Sequence, residues 1–397
     1  MTASSMLLKD LLVATKDGDW GQETLAPNHT PRYVIRGADF PDVPHRKVDR
    51  IPLRYLPDRT VDRRTLEAGD ILLETAGGTQ GRPTGRTVLI TQELLDAIPG
   101  KVIGASFTRF LRVNEALVDS RYLYWYLTAI YRRGEMAEYH VQHTGVGRFQ
   151  YTTFAANKQI PLLPLEQQRS IAEVLGALDD KIAANDRLIV SADRLGSALL
   201  RQALVDRSVP LVEVAVVTMG SSPPGTSYNE DGIGMPFYQG VRDFGVRFPT
   251  RRVWTTAPVR TATEGDVLLS VRAPVGRTNV ANEQLCLGRG VAGLRPRDGR
   301  SATLLHQVRA AHEAWAPYEA EGTVFGSINK GQLESIDLPA VDPVVGEVLD
   351  DQLGALETRI ATALEESRRL AATRDELLPL LMSGKLRVKD IGTAIPA

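Results

Sequence analysis

Two stretches of the chain repeat apolar residues in alternating steps of four and three positions. The apolar positions are Ile171, Leu175, Leu178, Ile182, Ile189 and Leu199 in the first stretch, and Leu349, Leu353, Leu356, Ile360, Leu370 and Leu377 in the second. A repeat of about 3.5 residues is typical of helices that pack along their length. Asn185 and Arg374 fall on the same seams and are expected to set the register. The pattern therefore predicts two long helices that pair with each other.

The two helical stretches are copies of one segment. Residues 175–182 (LGALDDKI) align without gaps on residues 353–360 (LGALETRI), at an offset of 178 positions. Upstream, residues 69–73 (GDILL) resemble residues 265–269 (GDVLL) at an offset of 196. A repeat of this length indicates a duplicated unit, in which a variable domain precedes a shared helix.

The regions between the helices contain short apolar runs that Gly and Pro separate, which predicts mixed α/β domains. We assign five segments, namely a first domain at 1–163, a central helix at 164–205, a second domain at 206–341, a C-terminal helix at 342–383 and a tail at 384–397. The predicted fold class is therefore α+β, with two mixed domains, two long helices and a pseudo-two-fold internal repeat.

Bulk composition narrows the class of protein. The single cysteine excludes an internal disulfide framework, and no apolar run reaches the length of a membrane span. The first residues lack the pattern of a secretory signal, so we expect a cytoplasmic protein. The net charge is −1, but residues 239–300 contain 11 Arg against five acidic residues. Local positive charge of this kind favours an anionic partner.

Sequence patterns of common catalytic and metal sites are missing. The chain has no phosphate-binding Gly-rich loop, nucleophile elbow or zinc pattern. His140 and His143 have no third ligand nearby, and we interpret them as surface histidines. Residues 222–225 (SPPG) differ from the amino-methyltransferase motif, because Ser and Gly cannot bind and stack on a flipped base. We therefore expect no catalytic residue and no metal in this chain.

Arg, Gln, Asn and Lys residues in glycine-rich surroundings are the remaining candidates for function. They are Gln80, Arg82, Arg86, Arg148 and Gln150 in the first half, and Arg242, Arg247, Arg272, Arg277, Asn329 and Lys330 in the second. Arg reads guanine with two hydrogen bonds, Gln and Asn read adenine, and Lys neutralises phosphate. As a group in two matching domains, these residues predict contact with DNA.

Residues 160–171 (IPLLPLEQQRSI) and 178–182 (LDDKI) mark the start of the first predicted long helix. They resemble the start of the central helix in one known family, the specificity subunits of type I restriction-modification systems. Further similar segments are residues 222–240, 265–268, 326–330 and 377–384. The second helix departs from the pattern, because residues 341–346 (VDPVVG) lack the Glu-Gln pair.

The resemblance implies an architecture and a function. The two helices would form an antiparallel coiled coil between two target-recognition domains, and each domain would read one half of a split double-stranded DNA target. A helix of roughly 35–40 residues is about 50–60 Å long, which is enough to span half-sites one helical turn apart. The chain would be the non-catalytic specificity subunit of a DNA-methylating, phage-defence restriction system.

The resemblance also implies partners that carry the chemistry. They would be two modification (methyltransferase) subunits, which use S-adenosylmethionine, and restriction subunits, which translocate and cleave DNA with ATP. No cofactor is expected in this chain, and no membrane. Three alternatives stay open at this point, namely an adaptor of another DNA-directed defence complex, a stand-alone DNA-modifying enzyme with an unrecognised site, and a scaffold that binds only protein.

Overall fold

The computed structural model describes residues 4–78, 82–142, 147–319 and 326–390. The chain divides into two compact units. The first unit consists of Met1–Asp186 and Glu366–Ala397, and the second of Arg187–Glu365. Each unit therefore combines one mixed α/β domain with part of each long helix. Among the helices of the described ranges, none combines the length and the apolarity that a membrane crossing needs.

The first domain contains short strands and few helices. Its strands are β1 (Ser4–Leu7), β2 (Leu12–Asp17), β3 (His29–Ile35), β4 (Leu53–Pro57), β5 (Ile71–Glu74), β6 (Ala76–Gly78), β7 (Thr87–Leu89), β8 (Val102–Gly104), β9 (Thr108–Val113), β10 (His140–Val141), β11 (Gly147–Phe149) and β12 (Gln159–Leu162). Its helices are α1 (Asp58–Val61), α2 (Gln92–Ala97), α3 (Ser120–Arg132) and α4 (Tyr151–Asn157), and the long helix α5 (Leu165–Ala203) follows.

An antiparallel sheet of order β2-β9-β5-β7 forms the centre of the first domain. A second sheet has the order β4-β3-β8, with β3 parallel to β8, and a third has the order β10-β11-β6. The inner strand β5 is apolar throughout because both of its faces are covered. Ile71 and Leu73 belong to one core cluster, and Leu72 belongs to another.

The second domain has elements of similar length. Its strands are β13 (Leu204–Pro210), β14 (Ala215–Met219), β15 (Tyr228–Asn229), β16 (Met235–Tyr238), β17 (Trp254–Thr255), β18 (Thr261–Ala262), β19 (Val267–Ser270), β20 (Thr278–Val280), β21 (Leu285–Leu287), β22 (Val291–Pro296) and β23 (Asp337–Val341). Its helices are α6 (Leu211–Val214), α7 (Ser301–Ala310) and α8 (Lys330–Glu334), and the long helix α9 (Gly346–Met382) follows.

The second domain repeats the topology of the first. Its central antiparallel sheet has the order β14-β22-β19-β20, which is equivalent to β2-β9-β5-β7. Strand β16 runs parallel to β21, as β3 runs parallel to β8. Strands β13 and β23 pair just before α9, as β1 and β12 pair just before α5. The internal repeat is therefore present in the strand order as well as in the sequence.

The aspartate of the repeated Gly-Asp motif is buried and forms the same ion pair with an arginine in both domains. Asp70 accepts hydrogen bonds from Arg112 Nε and Nη2, both at 2.8 Å. Asp266 accepts the equivalent bonds from Arg295 at 2.9 and 2.8 Å. The preceding glycines have φ of +93° and +86°, which favours glycine at both positions. The motif is therefore a structural turn that ties the two inner strands of each central sheet together.

Within the first unit, the beginning of α5 packs against the end of α9. Ile171 and Leu175 share one core cluster with Leu378 and Leu381. Asn185 is buried, and its Nδ2 donates to Glu366 Oε2 at 2.8 Å and to Ser367 Oγ at 3.2 Å. This polar contact fits only one register, because shifting either helix would leave the Asn185 amide without these acceptors.

Within the second unit, the end of α5 packs against the beginning of α9. Ile189 lies with Ile360 and Ala363 in one cluster, and Leu200 lies with Leu349 and Leu353 in another. In both units the pairing is antiparallel, because the earlier part of one helix meets the later part of the other.

The apolar seam predicted from the sequence lies in these helix contacts. At its far ends the buried position shifts by one residue. Its buried members are Ile171, Leu175, Ile182, Ile189, Leu349, Leu353 and Ile360, and its half-buried members are Leu178, Leu199, Leu356, Leu370 and Leu377. At the far ends Leu200 and Leu378 are buried more completely than Leu199 and Leu377. A helix of 3.6 residues per turn drifts by about 20° per heptad, which moves the contact by one position.

The glycines of the two long helices have different surroundings, so we expect their replacement by Ala to have different effects on the free energy of unfolding. A Cβ at Gly176 or Gly354, the glycines of the two LGAL copies, would meet nothing within 4 Å. Gly176→Ala and Gly354→Ala should each raise the free energy of unfolding by about 0.5–1 kcal/mol, because Ala is the better helix former. A Cβ at Gly196 would overlap the His306 ring, so Gly196→Ala should lower it by about 1–3 kcal/mol. Chemical denaturation of the three variants measures this, and equal effects at all three positions would contradict it.

Candidate nucleic-acid interface

Candidate residues of the first domain come together where the central sheet meets the small β10-β11-β6 sheet. Arg82 and Arg86 lie between β6 and β7, Arg148 lies on β11, and Gln150 follows it directly. Strand β11 pairs with β6 and places Arg148 opposite Ala76. Arg148 and Gln150 are exposed. Another candidate, Gln80, lies outside the described residues.

The second domain gathers its candidates at the equivalent place. Arg272 follows β19 and Arg277 precedes β20. An isolated antiparallel bridge between Arg272 and Ser327 brings the segment with Asn329 and Lys330 alongside. Arg242 lies in a short 3-10 turn after β16 and is exposed. In both domains, therefore, most candidates come from the loop after the inner strand, β5 or β19, and from a distant segment paired with it, whereas Arg242 and Arg247 come from the segment after β16.

The guanidinium group of Arg86 is paired with a buried carboxylate. Its Nε and Nη2 donate to the two Glu74 oxygens at 2.9 and 2.6 Å, and the Glu74 side chain is only 3% exposed. Arg82 is close to the same carboxylate, with Nη1 at 3.7 Å from Glu74 Oε1. A bidentate pair of this kind holds the arginine in place. Arg86 therefore serves the fold of the loop, and its guanidinium group is not available to a ligand.

Arg277 occupies the equivalent position with different neighbours. Glu74 N donates to Arg86 O at 2.8 Å, and Ser270 N donates to Arg277 O at the same distance. Serine thus replaces the buried glutamate. Ser270 Oγ accepts a hydrogen bond from Arg277 N and donates to Pro274 O. Arg277 is exposed and has no carboxylate partner in the described part of the chain.

The remaining candidates are exposed, and some already have polar partners. Asn329 caps α8, because its Oδ1 accepts from Gln332 N at 3.0 Å. Lys330 Nζ lies 3.5 Å from Glu334 Oε1, an exposed pair that constrains the lysine weakly. Within the described ranges, Arg148, Arg242 and Arg272 form no ion pair, so their guanidinium groups are open to an anionic ligand.

Arg247 belongs to a charge network that attaches the second domain to both long helices. Its guanidinium group bonds Asp193 on α5 and lies 2.9 Å from Glu357 on α9. Arg309 Nη1 donates to Asp193 at 2.6 Å, and His306 Nε2 lies 3.0 Å from Glu357 Oε1. Burial acts to raise the pKa of Asp193, but Arg309 and Arg247 hold it below its ordinary value. Arg247 is 4% exposed and serves attachment.

The first unit uses other residues at the equivalent place. Asp179 aligns with Glu357 in the repeat, and Arg374 of α9 donates to it. Position 196 aligns with Arg374 but is a glycine, and a Cβ there would overlap His306. The second unit therefore replaces an arginine on the facing helix with side chains from its own domain.

The domain helices α3 and α7 also meet the long helices differently. Gln168 of α5 is buried, and its Oε1 accepts from Asp119 N at 2.9 Å, while Asp119 caps α3. Gly346 aligns with Gln168, and a Cβ there would overlap the Arg300 side chain. Asp350 of α9 caps α7 instead, accepting from Thr303 N at 2.8 Å. The two helix starts therefore differ at the position where α5 has Gln168 and α9 has Gly346.

Comparisons with known proteins agree with this architecture. The chain is 28% identical over 306 residues to the putative type I restriction enzyme MjaX specificity subunit of Methanocaldococcus jannaschii, covering 70% of this chain and 71% of the relative. The crystal structure of the type I restriction-modification S subunit from M. genitalium superposes with a TM-score of 0.63, at 14% identity and 95% coverage of both chains. That of the HsdS subunit from Thermoanaerobacter tengcongensis covers 97% of both chains at 24% identity, with a TM-score of 0.36. No protein-family model matches.

By sequence and by fold, the chain is similar to the specificity subunits of type I restriction-modification systems. The resemblance seen in the sequence is thereby confirmed, and so is the predicted class of two mixed α/β domains with long helices. In the described part of the chain, no group of three or more His, Cys, Asp or Glu side chains could hold a metal ion.

Most residues that attach the second domain to the long helices are absent from the candidates predicted from the sequence. Asp193, His306 and Arg309 gave no local signal, because their roles depend on contacts between distant segments. Glu357 could have been found, since it aligns with Asp179 inside the LGAL repeat. A basic run in the first domain was also overlooked, and its exposed members include Arg59 and Arg63.

The contrast between Arg86 and Arg277 predicts unequal effects on stability. Arg86→Ala should lower the free energy of unfolding by about 3–5 kcal/mol, because it leaves the Glu74 carboxylate buried without its partner. Arg277→Ala should change it by less than about 0.5 kcal/mol. Chemical denaturation measures both, and a Glu74→Ala/Arg86→Ala double variant should recover part of the loss. A large effect at Arg277 or none at Arg86 would show that the assignment is wrong.

Proposed function

We propose that this chain is a non-catalytic subunit that recognises a double-stranded DNA target in two parts and directs methyltransferase and restriction subunits to it. The observation that carries the proposal is the duplication. Two domains of one topology each place exposed polar and basic side chains at the same loops. A protein that carries two related readers suits a target that consists of two parts.

The structure narrows the set of residues that we propose as DNA contacts. Arg86 and Arg247 are left out because both are buried or half-buried and paired with carboxylates, and Gln80 stays an expectation from the sequence. The proposed contacts are Arg82, Arg148 and Gln150 in the first domain, and Arg242, Arg272, Arg277, Asn329 and Lys330 in the second. Their side chains suit guanine, adenine and phosphate. The surplus of Arg over acidic residues between 239 and 300 supplies local positive charge to a chain whose net charge is −1.

The paired helices are the proposed attachment for the protein partners. We propose two modification subunits, one for each half of the repeat, together with restriction subunits. S-adenosylmethionine and ATP would be bound by those partners and not by this chain. The complex would act in the cytoplasm, where bacterial and archaeal DNA is found. Asymmetry at the helix starts, where Gln168 faces one domain and Gly346 the other, leaves the two partner contacts similar but not identical.

Mapping methylated adenines tests the proposal directly. When the chain is co-expressed with its modification subunit in a methylation-free host, we expect methylation at a split motif with two short specified parts and an unspecified spacer. The modification subunit alone is the control and should give no motif. A continuous motif, or methylation that does not depend on this chain, would reject the bipartite reading.

Arg277 gives a sharper test of the proposed contact set. Arg277→Ala should weaken binding of the assembled complex to its target by about 1–3 kcal/mol and reduce the slope of log affinity against log salt by about one. The matched control is Arg260→Ala, which removes an exposed positive charge elsewhere in the second domain. Equal losses for the two variants would indicate a general charge effect and would exclude a specific contact at Arg277.

A further inference from the structure

Three segments of the first proposed contact surface meet at one imidazole ring. His140 belongs to β10, which pairs with β11, and β11 pairs with β6. The sequence suggested a surface histidine, but the His140 side chain is half-buried. The proposed contacts Arg82, Arg148 and Gln150 lie on the segments around it.

Hydrogen bonds tie this ring to Thr84. Thr84 N donates to His140 Nδ1 at 3.3 Å, and Thr84 Oγ1 lies 2.9 Å from the same nitrogen. A backbone N–H can only donate, so Nδ1 is the acceptor in the first of these contacts. Thr84 is fully buried, and the bond therefore ties the loop of Arg82 to β10.

Two glycines make room for the ring. A Cβ at Gly147 would overlap the imidazole, and a Cβ at Gly78 would approach His140 Cε1 at 3.2 Å. Gly147 directly precedes Arg148 on β11, and its φ lies outside the region that favours glycine. The space taken by the His140 ring, and not the backbone conformation, is therefore what excludes a side chain at position 147.

We propose that His140 is a positioning residue for recognition of the first half of the DNA target. The inference rests on the proposed function. The ring holds the Arg82 loop through Thr84 and the Arg148 strand through contact with Gly147, so it sets the spacing between the side chains that read this half. His140 itself need not touch DNA. The second half of the target is read by another domain and does not depend on this ring.

A double-mutant cycle tests the proposal in the full chain with its modification subunit. His140→Ala should weaken discrimination at the first half of the split motif by about tenfold, the ratio that corresponds to the loss of one buried hydrogen bond. Gly147→Ala should have a similar effect, because its methyl group displaces the ring. The double variant should be no worse than His140→Ala alone, since the methyl group then enters the space that the ring has left.

The readout is the methylation motif, with its two halves scored separately. His140→Asn should recover part of the discrimination, because its amide oxygen can accept from Thr84 N. The matched control is His29→Ala, a histidine of the same unit whose Nδ1 lies 2.9 Å from Pro27 O, two residues earlier. Additive effects in the cycle, or equal loss at both halves of the motif, would overturn the proposal. A wild-type chain that gives no split motif would instead reject the proposed function.

Discussion

Each long helix carries a carboxylate at the same position of the repeat, and the two units neutralise that charge with different partners. A carboxylate removed from water is costly unless a cation and hydrogen bonds compensate it. Burial raises the pKa of the Asp179 carboxyl group, although Arg374 acts in the opposite direction. Glu357 receives its compensation from Arg247 and His306 of the second domain. The same acid thus joins helix to helix in one unit and helix to domain in the other.

This difference explains why a duplicated chain is not symmetric in detail. Where α9 supplies Arg374, α5 has Gly196, and the vacated space admits His306. Where α5 supplies Gln168, α9 has Gly346, and the space admits Arg300. In both cases a glycine on one helix is matched by a larger side chain from the domain. Complementary volumes of this kind let both long helices receive side chains of the second domain while keeping the apolar seam in common.

The sequence predicted the features that depend on local pattern. The heptad spacing of Leu175 and Leu353 marked the paired helices, and the repeated Gly-Asp marked equivalent turns. Ion pairs between distant segments left no such pattern. The residues next to Arg86 in the sequence do not show that it is paired while Arg277 is not. The difference lies in the residue that packs against each arginine, which is Glu74 in one domain and Ser270 in the other. Residue type could therefore identify candidate contacts. Only the packing distinguishes an exposed guanidinium group from one that is paired with a carboxylate.

The occupied arginines have a consequence for how two domains of one topology can differ at their exposed loops. The pair of Glu74 and Arg86 fixes the shape of its loop, so the exposed Arg148 can be exchanged without loss of that shape. Arg82, in contrast, donates to Gly77 O at 3.1 Å and helps to hold the loop itself. In the second domain Ser270 holds the loop through the backbone at Arg277, which leaves the guanidinium group free. The two domains thus share a framework that is stabilised by different bonds. Each domain can present its own exposed side chains, because the bonds made by Glu74 and by Ser270 leave Arg148 and Arg277 exposed.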